Sequence, residues 1–145
     1  PHAMAPFGMR AMMSLRLDKF FGSWMSEFSP DYTAAETGLD RFISFKKNTN
    51  FIGRSIAEAE RALPPARQLV VFEVDALDAD VVAYEPVFID GEVQGFCTSG
   101  GYSHHAEKSI AFALVPRSCV NDNLAVEIEI LGHRRPAKLL LEPLL

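Results

Sequence analysis

At 145 residues, with 48% hydrophobic and 23% charged side chains, the chain has the make-up of an ordinary globular domain and is long enough to bury roughly two-thirds of its unfolded surface. Nineteen acidic against fourteen basic residues leave a formal charge of −5, and no Lys/Arg run exceeds two, which argues against a nucleic-acid partner. No apolar stretch approaches the roughly 18 residues of a membrane span, and the N-terminus lacks the charged-then-apolar order of a signal peptide, so no membrane partner is expected.

In chain order, Pro1-His2-Ala3-Met4 reads as a cloning remnant. From Pro6 to Phe21, Met9, Met12, Met13, Leu17 and Phe20 recur at near-helical spacing, with Gly22 as the expected stop and the methionine stripe read as core. Trp24 to Thr37 has no period and reads as a long loop. Arg41 to Phe45 (RFISF) is expected to form a strand, and Ser55 to cap a helix running through Arg61 that Pro64 ends. A mixed segment whose one strand has no partner reads as an incomplete α/β piece of a larger domain.

The pattern changes at Pro64-Pro65, which divides residues 1–66 from a second unit at 67–145. Strands are expected at Arg67–Asp75, Glu85–Ile89, Glu92–Thr98, Lys108–Val115, Leu124–Leu131 and Ala137–Leu141. Asp90-Gly91, Asn121-Asp122-Asn123 and Gly132-His133 mark turns between them. Ile110, Phe112 and Leu114 alternate with Ala111, Ala113 and Val115, the pattern of a strand buried on both faces. Six short strands so punctuated predict an α+β chain that ends in a small antiparallel barrel or sandwich. Thr98-Ser99-Gly100-Gly101 reads either as a tight turn or as backbone passing close to a ligand.

Cys97 and Cys119, the only cysteines, lack ligand partners at metal-binding spacing and suit a reducing compartment. His104 and His105 are neighbours that on a strand would face opposite sides, so no metal site is expected. His133 reads as a turn residue.

Two ordered groups of residues carry a family resemblance. The first is Gly91, Gly95, Thr98-Ser99-Gly100, Ser103 and the alternating Ile110-Ala111, Ala113, Val115-Pro116; the second is Ser14-Leu15-Arg16-Leu17-Asp18, Trp24, Ala34-Ala35-Glu36-Thr37-Gly38-Leu39, Lys46-Lys47 and Phe51-Ile52-Gly53. Together they resemble the C-terminal portion of the folate-dependent aminomethyltransferase superfamily, the glycine cleavage T-protein type. With Gly101 and Tyr102 added, they look most like the branch fused to dimethylglycine and sarcosine dehydrogenases.

The resemblance implies a tetrahydrofolate site and the transfer of a one-carbon unit from an amine donor to tetrahydrofolate. It places Asp18 where the family's acidic residue holds the pterin N–H groups, with Trp24 and Glu36 on the same wall and Lys47 toward the folate glutamate tail. It implies a cytoplasmic location, or the mitochondrial matrix in a eukaryote.

Several departures qualify what is carried over. Asp18 stands where the family has Glu, its carboxylate about 1.5 Å further back. Ala34 replaces a proline, and Lys47 offers a point charge where Arg would offer a fork. The N-terminal segment with the family's catalytic aspartate has no counterpart here, nor does a flavin-binding G-x-G-x-x-G. The chain is therefore expected to need the missing N-terminal domains, or a partner subunit, and to be inactive alone. The alternatives are a non-catalytic folate-binding module, for which the family's K-G-C-Y-x-G-Q segment is lacking, and a purely structural barrel.

Overall fold

A computed structural model describes residues 4–121 and 124–145. The expected turn at Asn121-Asp122-Asn123 falls largely outside them, as does the Pro1-His2-Ala3 stretch. Six antiparallel strands form a closed barrel: β1 (Arg67–Val74), β2 (Pro86–Ile89), β3 (Glu92–Ser103), β4 (Lys108–Pro116), β5 (Val126–Ile130) and β6 (His133–Leu140). Their order round the wall is β1-β4-β3-β2-β5-β6, and β1 bonds to both β4 and β6, so the sheet leaves no open edge.

Alternation sorts the side chains into two layers. Val70, Phe72 and Val74 of β1 and Ala111, Ala113 and Val115 of β4 fill the interior, small against large as a narrow barrel requires. The opposite faces of the same strands carry Val71, Ile110 and Phe112, which Leu17 covers from outside. This explains why β4 has no polar face. Full burial of each such side chain stabilises by about 1.5–3 kcal/mol.

Asp90 and Gly91 adopt φ of 51° and 84°, the hairpin turn expected between β2 and β3. The β5–β6 turn is centred on Leu131 and Gly132 (φ 51° and 80°), one residue earlier than expected, so His133 already belongs to β6. Pro136 sits inside β6 opposite Glu127, and its carbonyl accepts from the Asp75 N–H at 2.9 Å.

The glycine-rich stretch is neither turn nor loop. β3 continues through Ser103, with a register shift between Cys97 and Ser99, and Gly100 and Gly101 pair with Ala111 and Ile110. Glycine is required because the 81–84 segment crosses here: a Cβ on Gly100 would lie 2.6 Å from Val81 Cβ and 2.8 Å from the Ile110 carbonyl.

The first half is helical, with no strand among its described residues. The α1 helix (Met9–Asp18) stops before Gly22 because Phe20 turns left-handed at φ 55°; Phe20 N–H and Phe21 N–H then bond back to the Leu17 and Arg16 carbonyls at 3.0 and 2.9 Å. Within the expected loop, Thr33 and Glu36 form a reciprocal cap on a short helix, α2 (Ala34–Thr37). Left-handed Gly38 ends it, and Leu39–Phe42 winds into a 3-10 turn where a strand was expected from Arg41 to Phe45. The α3 helix (Arg54–Ala62) is entered through Gly53 at φ 85°, two residues before the expected cap Ser55. Of the methionine stripe, Met9 and Met12 are exposed, whereas Leu17 at its far end is buried.

Candidate functional site

Helix α1 lies against β3, and the junction is polar. Ser14 Oγ donates to the Tyr102 carbonyl at 2.8 Å, and Ser26 Oγ to the Thr98 carbonyl at 2.7 Å. Between these two bonds lies Glu27, with no exposed surface. Its carboxylate accepts from the Ser23 N–H at 2.7 Å, the Thr98 hydroxyl at 2.7 Å and the Ser99 hydroxyl, and pairs with Arg16 Nη1 at 3.3 Å.

Burial alone would raise the Glu27 pKa. The bonds from Ser23, Ser99 and Thr98 and the charge of Arg16 outweigh it, and hold the group below its ordinary value of 4.5. Burial lowers the Arg16 pKa despite Glu27. The Arg16 guanidinium also sits 5.3 Å from the Phe112 ring centroid and donates to the Phe21 carbonyl at 3.0 Å. Arg16 and Thr98-Ser99 belong to the two sequence groups singled out above, and Glu27 is the residue that joins them. Sequence reading missed it because an acid in a polar, aperiodic stretch looks solvated.

Asp18 ends α1 and is 1% exposed. Its backbone carbonyl accepts from Leu144 N–H at 2.8 Å and Leu145 N–H at 3.3 Å, while its side-chain Oδ1 is buried with no hydrogen-bond partner. A buried carboxylate oxygen left unbonded is costly.

A cleft of about 1100 Å³ opens between α1, the 21–32 segment, the 81–84 segment and β3. Trp24, 77% exposed, lines it together with Met12, Tyr32, Tyr84, Phe96 and Ser99, and Tyr84 stacks on Phe96 at 6.3 Å between centroids. Glu36 lies apart from this cleft. One of its oxygens caps α2 at Thr33 N–H, 2.9 Å away, and the other meets Arg67 at 2.9 Å, tying α2 to the start of β1. Lys47 is exposed beside a shallow depression of about 470 Å³ with Ile43, Ser44, Thr49, Asn50 and Phe51. The structure thus brings Arg16, Ser99 and Trp24 to one cleft, and leaves Asp18, Glu36 and Lys47 in three separate surroundings.

Burial pushes the Cys97 thiol up to about 12, with Glu85 adding to it, so the group is a protonated hydrophobe at neutral pH and no nucleophile. Among the described residues no cluster of His, Cys, Asp or Glu has the arrangement of a metal site, and no helix is long and apolar enough to cross a membrane.

The glycine cleavage T-protein C-terminal barrel domain matches residues 67–145, and the GCVT N-terminal domain matches residues 1–47. Mitochondrial dimethylglycine dehydrogenase of Rattus norvegicus is 39% identical over 138 residues, which are 95% of this chain and 16% of that protein. An aminomethyltransferase of Geobacillus sp. (strain WCH70) is 32% identical over 138 residues, 95% of this chain and 38% of its own length. The crystal structure of glycine cleavage system aminomethyltransferase T from Bartonella henselae shares the fold, with a TM-score of 0.86 at 21% identity over 95% of this chain and 39% of that one. The chain therefore spans between 16% and 39% of the length of these proteins. With a barrel match over more than half of its residues, the chain belongs to the glycine cleavage T-protein family.

Proposed function

We propose that this chain forms part of a tetrahydrofolate site in an aminomethyltransferase-like protein that passes a one-carbon unit from an amine donor to tetrahydrofolate. The observation that carries the reading is the orphaned Oδ1 of buried Asp18. Such an oxygen fits a planar N–H donor group like those of a pterin ring, and bonding to it removes the penalty of burying a bare acceptor. Tetrahydrofolate, when bound, supplies the nitrogen that accepts the one-carbon unit.

The chain's own part is to bind and orient. Asp18 holds the pterin edge, and Arg16 and Glu27 keep the end of α1 on the barrel. Trp24 contributes an apolar wall that excludes water, and Lys47 meets the carboxylates of the glutamate tail as a point charge. Glu36 ties α2 to the start of β1 through Arg67. The reaction then depends on proximity, with the acid–base chemistry outside residues 1–145. We read 1–66 as a partial folate-binding segment and 67–145 as the barrel, in a protein of the cytoplasm or mitochondrial matrix.

Calorimetric titration of the complete parent protein with a stable reduced folate tests the assignment. Asp18→Ala is expected to weaken binding by about 1.5–3 kcal/mol, the range for hydrogen bonds to a charged group, or roughly 10- to 150-fold. Equal affinities in two folded proteins would refute it. The exposed apolar residues Met9, Phe21, Trp24 and Met25 favour a second reading, a structural barrel that closes the side of a neighbouring domain without touching ligand. Undetectable folate binding by the parent would select it.

A further inference from the structure

Arg54, the first residue of α3, directs its guanidinium at backbone. Nη1 donates to the carbonyls of Lys47 at 2.8 Å and Thr49 at 3.2 Å, and Nη2 to that of Phe45 at 3.1 Å. Nε donates to Glu58 one turn along the helix at 2.8 Å, and the guanidinium lies 5.9 Å from the Phe51 ring centroid. Three carbonyls from a five-residue stretch thus converge on one cation.

The 45–49 stretch lies in no helix or strand, so no backbone ladder fixes its shape. A planar fork with five N–H donors reaches several carbonyls at once and holds them in one plane, whereas a lysine ammonium offers a compact charge on a flexible stem. Glu58 fixes the rotation of the fork from the other side. Helix α3 contributes no buried side chain, so a packing role does not account for this arrangement. The nearest of the three carbonyls is that of Lys47 itself.

We infer that Arg54 is a positioning residue: it fixes the backbone from which Lys47 reaches the tail carboxylates of a bound folate. The inference rests on the folate reading above, and the two fail differently.

The test titrates the complete parent protein at low ionic strength with two probes, 5-formyltetrahydrofolate and 6-methyltetrahydropterin, which lacks the glutamate tail. Arg54→Lys keeps the charge and loses the fork. It is expected to weaken the folate by about 2- to 5-fold, the scale of an exposed charge pair, and to leave the pterin unchanged. Lys47→Ala should give a loss of the same size, and the double variant no further loss. Amide exchange at residues 45–49 should quicken in Arg54→Lys, and Glu58→Gln should shift both readouts in the same direction by less.

Equal losses for both probes, additive losses in the double variant, or an unchanged folate affinity would each overturn the positioning role. If the parent binds both probes equally tightly, this inference falls while Asp18 can still hold the pterin. If it binds neither, the folate reading falls with it.

Discussion

The barrel and the helical segment are held by different forces. The barrel is closed and apolar, with every strand paired on both sides and an interior of Val, Ala, Ile and Phe side chains. Its stability comes from burial, which is non-directional and spread over many residues. The α1 segment adds an apolar patch, Leu17 and Phe20 over Val71, Ile110 and Phe112, and is also fixed by directional bonds through Ser14, Ser26, Arg16 and Glu27. Directional bonds set position more sharply than burial does, and they fail singly.

The largest effect is expected where both regions meet. Phe112 is fully buried, lies under Arg16 and meets Phe20 edge-on at 6.2 Å. Phe112→Ala should cost about 3–5 kcal/mol, read from the denaturant midpoint. A loss under 1 kcal/mol would mean that the two regions are not packed as described.

Gly100→Ala probes the crossing of the 81–84 segment over β3. The new methyl group meets Val81 and the Ile110 carbonyl, so about 1–3 kcal/mol of overpacking is expected, and Tyr84 should leave its stack on Phe96. The denaturant midpoint gives the first quantity and the near-UV circular dichroism of the aromatic residues the second.

Smaller still is the tie between α2 and β1. Arg67 is 47% exposed, so Arg67→Ala should lose no more than about 1 kcal/mol and lose less at high salt. At the far end of the scale, Cys97 should resist iodoacetamide at pH 8 in the folded protein while partly exposed Cys119 reacts, as mass spectrometry of the peptides would show. Rapid labelling of Cys97 would contradict a dry barrel.

The barrel was legible in the sequence because burial writes a period of two. The Arg67, Glu92 and Lys108 strand starts and the Asp90-Gly91 turn follow from alternation and turn chemistry alone. The end of β3 was not legible, since Ser99-Gly100-Gly101 carries turn residues, and their place in a strand depends on Val81 crossing over them. The α2 cap was missed: Thr33 with Glu36 three residues on carries the pattern, but the aperiodic stretch around it reads as a loop. RFISF failed as a strand because alternation without a partner strand binds nothing. Of the site, Arg16, Asp18, Trp24, Thr98 and Ser99 stood in recognisable motifs. Glu27 did not, since its burial exists only once α1 meets β3.

The central claim is that charged Glu27 holds α1 on the barrel, and comparing the stability of the parent with that of Glu27→Gln between pH 7 and pH 3 tests it most directly. Because the folded pKa of Glu27 lies below its ordinary value, the stability it contributes is present above about pH 4.5 and is lost as pH falls through the folded value. The parent should therefore exceed Glu27→Gln by about 1.5–3 kcal/mol at pH 7, the range for hydrogen bonds to a charged group, and the gap should close toward pH 3. A gap that is absent at pH 7, or that stays constant across the range, would contradict the account.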